Sequence, residues 1–427
     1  MRQVSDSVTI RPRGPLDARL RVPGSRSITN RALEVAALAA GQSQLEGALD
    51  SDDTQAMREG LVALGATIDV DGDTWSVSGT DGRLRTPTRP LDARASGTTA
   101  RFLTALATLA RGSAVIDGTP RMRERPIEDL TLALSALGAR VEVLGEAGCP
   151  PVRTGGGGLR GGAALVDARR SSQYVSALLM VAPYASRDVT LSLEEGICVS
   201  RPYVELTLAV MDAFGACAGW NAEGGLHVEA GRHYGPRRYR IEPDASSAAY
   251  GFAAAAIAGG TVVVEGLPAD SRQPDVRFLD VLEKMGCEVT RNEDGDVAVR
   301  GQPGSLHGVD VDMNALPDAA LALAVVALFA KGPTVIRNVA NLRIKETDRL
   351  AALEAEIRKL GAQACATQDS LTIEPGPLRG AEIETYDDHR MAMSFALAGL
   401  QVPGVVIRDP GCVRKTWPDF FEALERL

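Results

Sequence analysis

The chain has 427 residues, 45% hydrophobic and 24% charged, a globular balance that is long enough for two domains with a core each. A formal charge of −9 with no Lys/Arg block excludes a nucleic-acid surface, and because no apolar run could span a bilayer and MRQVSDSVTIRPRG lacks a signal-peptide core, a cytoplasmic protein without membrane contact is expected. The six cysteines (Cys149, Cys198, Cys217, Cys287, Cys365, Cys412) form no CxxC pair and the four histidines have no metal-ligand spacing, which predicts buried thiols in a reducing compartment and no zinc site.

In chain order, VTIRPRGPLDARLRV reads as a strand pair ahead of an internal repeat. Six times, at intervals of roughly 70–75 residues, a polar cluster opens a run of small apolar residues ended by a glycine-rich turn. The clusters are Ser25-Arg26-Ser27, Ser96-Gly97-Thr98, Ser171-Ser172-Gln173, Asp244-Ala245-Ser246-Ser247, Pro317-Asp318 and Asp387-Asp388-His389. The runs, such as RALEVAALAAG and AAYGFAAAAIAGG, are nearly uncharged and so are expected as buried helices. Each is followed by a β-branched stretch such as VVVEGL, then by an amphipathic segment ending in glycine, such as LEKMGC, so one unit reads helix, strand, helix, strand. The stretch NAEGGLHVEAGRHYGPRRYRIEPDAS divides the units three and three. Pairing of the N-terminal strands with the last three units would put both chain crossings near Val22-Pro23 and Ile241–Asp244. The expected domains are residues 23–241, and 1–22 with 242–427, with a cleft between them that hinge motion closes.

A helix start carries unpaired N–H groups and about half a positive charge, so six starts rich in Ser, Thr and Gly suit an anion, although the same residues are also good N-caps. Four segments add charge. NLRIKETDRL brings Lys345, Glu346 and Arg349 together, with Arg343 before them; TPRMRERPIEDL sets Arg121, Arg123 and Arg125 ahead of a helix; YDDHRMAM puts four ionisable groups at the mouth of a buried helix; DPGCVRKTWPDFFEAL adds Arg414 and Lys415. Arginine forks clamp phosphate or carboxylate bidentately, and ionisable groups at the mouth of a core helix are costly without a role. Arg26, Arg31, Arg125, Lys345, Arg349, Arg390 and Lys415 thus predict a small, highly charged substrate, with Asp318 and Glu346 as proton-transfer groups among those cations.

PGSRSITNRAL, SGTTARF, PRMRERPI, SSQYVSALLM, DASSAAY, NLRIKETDRL and YDDHRMAM, in this order, resemble the EPSP synthase family, the 3-phosphoshikimate 1-carboxyvinyltransferases, from about Pro23 to the C-terminus. The resemblance implies an α/β (α+β) two-domain enolpyruvyl transferase fold, three βαβαββ-type repeats per domain, six in all, with an interdomain cleft. It implies transfer of the enolpyruvyl group of phosphoenolpyruvate to the 5-hydroxyl of shikimate-3-phosphate by addition and elimination, in aromatic amino-acid biosynthesis, without metal or organic cofactor, by a protein expected to be a monomer. Carried over by position, Arg26, Ser27, Arg31, Ser171, Ser172, Gln173, Ser200, Tyr203, Asp318, Asn341 and Lys345 surround shikimate-3-phosphate. Arg26, Gly97, Arg125, Gln173, Glu346, Arg349, His389, Arg390 and Lys415 hold phosphoenolpyruvate. Asp318 takes the hydroxyl proton, Glu346 protonates the methylene carbon, and Lys345 is counted with them as catalytic.

Two positions depart from the family pattern: Arg26 stands where lysine is usual, and Ala95 where an asparagine precedes the cap. They bear on phosphoenolpyruvate affinity and on sensitivity to glyphosate, the family's inhibitor. Two rival readings are a catalytically altered ligand-binding paralogue and UDP-N-acetylglucosamine enolpyruvyl transferase; the latter usually carries a reactive cysteine where DGTPRMRERPI has none.

Overall fold

A computed structural model describes residues 6–427. The chain divides into two compact units, Gly24–Ile241 and a discontinuous one made of the residues up to Pro23 with Glu242–Leu427.

One repeat shows how the local sequence builds both. Strand Leu91–Asp92 leads into helix Gly97–Ala107, strand Ala114–Asp117, helix Glu128–Ala136 and a hairpin of Val141–Val143 with Val152–Thr154. The first two strands pair in parallel and the hairpin adds two antiparallel strands. The unit is therefore βαβαββ, two strands more than the sequence pattern gives: a leading strand and the second strand of the hairpin. The leading strand is short, only Leu91–Asp92 in this repeat, and Thr67–Asp71 and Thr74–Ser78 show why the hairpin is hidden: only Gly72 and Asp73 separate them, and both strands alternate polar and apolar residues, so two short strands read as one.

The N-terminal strands do not pair with each other. Ser7–Thr9 lies antiparallel to Val406–Arg408, and Leu16–Leu20 lies parallel to Gly260–Val264, so each completes a different sheet of the discontinuous unit. In Gly24–Ile241 the strand Arg238–Arg240 plays the same part for Gln42–Glu46.

Each unit has three core helices. Ala245–Ala258, Ala320–Val326 and His389–Ala398 are buried at every position, as expected of nearly uncharged helices, with His389 and Arg390 the ionisable exceptions at the start of the last. Arg26–Leu38, Gly97–Ala107 and Ser172–Val181 fill the other core. Gly251 shows how closely helix and sheet approach: a Cβ there would stand 2.6 Å from Leu20. The expectation of buried thiols fails in part. Cys149 and Cys287 are buried, but Cys217 and Cys365 are exposed and Cys198 and Cys412 are intermediate. Cys365 sits at an outward position of an edge strand, Gln363–Ala366, and Cys217 directly precedes another, Ala218–Trp220, where one face meets solvent.

Candidate active site

Five of the six polar clusters cap a core helix through a side chain. Ser25 accepts from the Ile28 N–H, Ser96 from Thr99, Ser171 from Gln173, Asp244 from Ser246 and Asp388 from Arg390. The fifth cluster differs. Pro317–Ala319 forms a 3₁₀ turn and Ala319 takes the cap position of the next helix without a side-chain bond. The Asp318 carboxylate is turned instead to two arginines, accepting from Arg390 Nη2 at 2.8 Å and Arg349 Nη1 at 3.3 Å.

Around that carboxylate the discontinuous unit builds an alternating cluster of charge. Arg349, the first residue of helix Arg349–Lys359, also donates to Asp388 (2.7 and 3.2 Å) and to Glu346 (2.9 Å). Lys415, buried at the end of the 3₁₀ turn Pro410–Lys415, reaches Glu346 at 3.3 Å. Burial pulls the Arg349 guanidinium down, but Asp388, Glu346 and Asp318 outweigh it and leave the group raised, so Arg349 stays charged in a dry site. Asn341 and His389 are buried, Lys345 ends the 3₁₀ turn Ala340–Ile344, and His389 Nδ1 lies 3.5 Å from Asp388. Asp388, noted in the sequence as one of a pair, is the pivot, since it holds Arg349 and caps the helix that carries Arg390. The structure also joins to this cluster residues that sequence reasoning passed over. Tyr250 Oη accepts from Arg390 Nη1, at 3.4 Å. Asp275 accepts from Ser246 Oγ, and burial pushes its carboxyl up to about 6, with Asp318 adding to the rise and Arg390 opposing it. Ser246 and Tyr250 are four apart on one helix, so DASSAAY held that signal as an i,i+4 pair.

Arg343 and Arg414 stand apart from the cluster. Arg343 bonds Asp348 and the Thr367 and Gln368 carbonyls, and Arg414 is exposed.

Gly24–Ile241 carries its own set. Arg31 is buried, donating to Thr207 (2.7 Å), the Ser27 carbonyl (3.0 Å), Ser176 (3.3 Å) and the Tyr203 carbonyl (3.2 Å); burial lowers its pKa to about 10. These bonds fix Ser27 and Tyr203 around one guanidinium. Ser200 is buried with φ 53°, and its carbonyl accepts from the Tyr203 N–H. Gln173, following Ser171 and buried Ser172, donates to Thr98 at 3.0 Å and so ties two helix starts together. Gly97 gives Arg125 room: a Cβ there would lie 2.5 Å from both the Arg125 and Arg101 guanidinium nitrogens. Arg101 donates to the Gly97 and Pro126 carbonyls, at 2.9 and 2.8 Å, and Tyr174 Oη also donates to Pro126. Arg26 pairs with Asp53 at 3.1 Å. Of the three arginines in TPRMRERPIEDL, Arg121 and Arg123 pair at the surface with Glu124 and Asp117, and Arg125 alone is buried. Each unit thus gathers cations and helix N-termini, an arrangement that binds anions; the 242–427 part adds carboxylates able to move protons.

The enolpyruvyl transferase NikO from Streptomyces tendae superposes with a TM-score of 0.80 over 99% of this chain and 97% of that one; at 19% identity this speaks for the fold alone. EPSP synthase from Acinetobacter baumannii matches with a TM-score of 0.82 and 27% identity, over 98% of this chain and 97% of that one. The 3-phosphoshikimate 1-carboxyvinyltransferases of Nostoc punctiforme and Yersinia pseudotuberculosis are each 46% identical, covering 95% of both chains and 99% of both chains, respectively. The sequence pattern of the EPSP synthase (3-phosphoshikimate 1-carboxyvinyltransferase) family matches residues 10–424, and the chain belongs to that family. Neither rival reading finds support among these relatives. No helix of the described residues is long and apolar enough to cross a membrane.

Proposed function

We propose that the chain transfers the enolpyruvyl group of phosphoenolpyruvate to the 5-hydroxyl of shikimate-3-phosphate, releasing phosphate, in the cytoplasm and as a monomer. The observation that carries this reading is the pair of carboxylates, Asp318 and Glu346, that share Arg349 while each also meets a second cation, Arg390 or Lys415. Asp318 accepts the hydroxyl proton as the oxygen attacks the central carbon of phosphoenolpyruvate, and Glu346 delivers a proton to the methylene carbon. Loss of a proton from the new methyl group and departure of phosphate then restore the double bond. Arg125, Arg349, Arg390 and Lys415, with His389, Gly97 and Gln173, receive phosphoenolpyruvate, and the cations stabilise the departing phosphate. Those now paired with Asp318, Glu346 and Asp388 exchange partly onto the substrate, so both carboxylates are freed for proton transfer only once the anion has arrived. Arg26, Ser27, Arg31, Ser171, Ser172, Gln173, Ser200 and Tyr203, with Asp318, Asn341 and Lys345, receive shikimate-3-phosphate. Arg31 spends most of its donors on the protein and acts mainly by fixing Ser27 and Tyr203.

The test is phosphate release with both substrates in the presence of a chelator. Phosphate formed only when both are present supports the reading; binding without release would make the chain a ligand-binding paralogue. Release abolished by exhaustive chelation and restored by a divalent ion would overturn the metal-free mechanism.

A further inference from the structure

The turn Thr385–Asp388 delivers the pivotal Asp388, and it does so through two consecutive non-glycine residues in the left-handed region, Tyr386 (φ 55°) and Asp387 (φ 53°). L side chains adopt that conformation reluctantly, so something must hold the pair there. Tyr386 is 43% exposed, yet its hydroxyl donates to Glu356 Oε1 at 2.7 Å. Glu356 is fully buried; its other oxygen accepts from the Glu384 N–H at 3.2 Å and lies 2.8 Å from Lys359 Nζ. Glu356 and Arg349 are seven apart on helix Arg349–Lys359 and face the same segment. The helix therefore grips the turn at two points, through Arg349 to Asp388 and through Glu356 to Tyr386 and Glu384. Inside the turn the Asp388 N–H bonds the Thr385 carbonyl at 2.8 Å.

The geometry points to the Tyr386–Glu356 bond as a latch that keeps this strained turn closed and so holds Asp388 in place behind Arg349 and Arg390, the cations assigned to phosphoenolpyruvate. Tyr386 and Glu356 are positioning residues, remote from the reacting atoms. The consequence for substrate rests on the function proposed above; the consequence for the turn does not.

The experiment compares the full chain with Tyr386→Phe, and with Tyr386→Phe combined with Asp387→Gly, which relieves the conformational cost at 387. Amide hydrogen exchange of the 384–390 segment and the KM values for both substrates are measured. In Tyr386→Phe, exchange of this segment accelerates while the rest of the chain keeps its protection, and KM for phosphoenolpyruvate rises about tenfold, the loss of one hydrogen bond to a charged group, with little change for shikimate-3-phosphate. The added Asp387→Gly slows the exchange again and lowers KM toward the parent value. Parent-like exchange in Tyr386→Phe, or acceleration that Asp387→Gly leaves unrelieved, overturns the latch. Should the parent release no phosphate, the proposed function falls and the exchange comparison alone decides the latch.

Discussion

Asp318 and Glu346 stand at the residue scale as two carboxylates with different neighbours on a shared arginine, Arg390 for one and Lys415 for the other. If they move the protons, Asp318→Ala and Glu346→Ala each lower turnover about 10²-fold or more and leave shikimate-3-phosphate affinity largely intact, as paired kinetic and calorimetric titrations will show. Near-parent turnover in either variant would assign the wrong carboxylate. A second expectation concerns Arg26 and Ala95. Arg26, itself assigned to phosphoenolpyruvate, is held by Asp53 at 3.1 Å, and the Ala95 carbonyl accepts from Arg125 Nη1, another group of that set, at 3.3 Å. A hydrogen bond from a side-chain amide to a charged ligand is worth about 1.5–3 kcal/mol, and the Ala95 side chain has none to give. Glyphosate should therefore bind more weakly here than in relatives with the usual pattern, and Arg26→Lys with Ala95→Asn should tighten inhibition; equal inhibition constants for double variant and parent would make the departures neutral. Most of the charged site was legible in the sequence because its residues cluster in four short motifs. Asp275 was not, since what makes it part of the site is its bond across the fold to Ser246, which brings its charge under the influence of Asp318 and Arg390.

Among the elements, helix Arg26–Leu38 carries an anomaly. Asn30 and Glu34 are fully buried, one turn apart, and among the described residues neither Glu34 oxygen nor either Asn30 amide atom has a hydrogen-bond partner. Burial raises the Glu34 carboxyl well above the usual carboxylate range, with Arg31 opposing. The sign follows: a folded-state pKa above the unfolded one makes the proton's stabilisation complete below about pH 4.5 and progressively lost as pH rises toward the folded value. Glu34→Leu should thus stabilise the chain at pH 8 by about 1–3 kcal/mol and by less at pH 5. Chemical denaturation of parent and variant at both pH values checks this, and an equal gain at the two pH values would show that the fold does not raise the Glu34 carboxyl. Read as a sequence, RALEVAALAAG gave a buried helix because its apolar residues outnumber its charges. What it could not give was the place of Glu34, because periodicity does not say which neighbours surround a charge. The hairpins were read as single strands for a similar reason: Thr67–Asp71 and Thr74–Ser78 share one alternation, and only tertiary pairing divides them.

At the scale of the whole molecule, one βαβαββ plan recurs through both units, giving five four-stranded sheets and, among the described residues, one three-stranded sheet of Ser7–Thr9, Val406–Arg408 and Glu382–Ile383, and five of the six core helices begin in a side-chain cap. The residues assigned to shikimate-3-phosphate are divided between the units, Ser27, Arg31, Ser171 and Ser172 in one and Asp318, Asn341 and Lys345 in the other. A ligand that must satisfy both sets should draw them together, so small-angle scattering is expected to show a smaller radius of gyration when shikimate-3-phosphate alone is added. An unchanged radius at saturation would remove closure from the mechanism. The central claim, addition followed by elimination with a protein carboxylate protonating the methylene carbon, is tested most directly by turnover in heavy water. A methyl group formed on the way to product mixes one solvent hydrogen with two from the substrate, so mass spectrometry should find deuterium in the methylene group of the enolpyruvyl product. Product made in heavy water with no deuterium at that carbon would contradict the account.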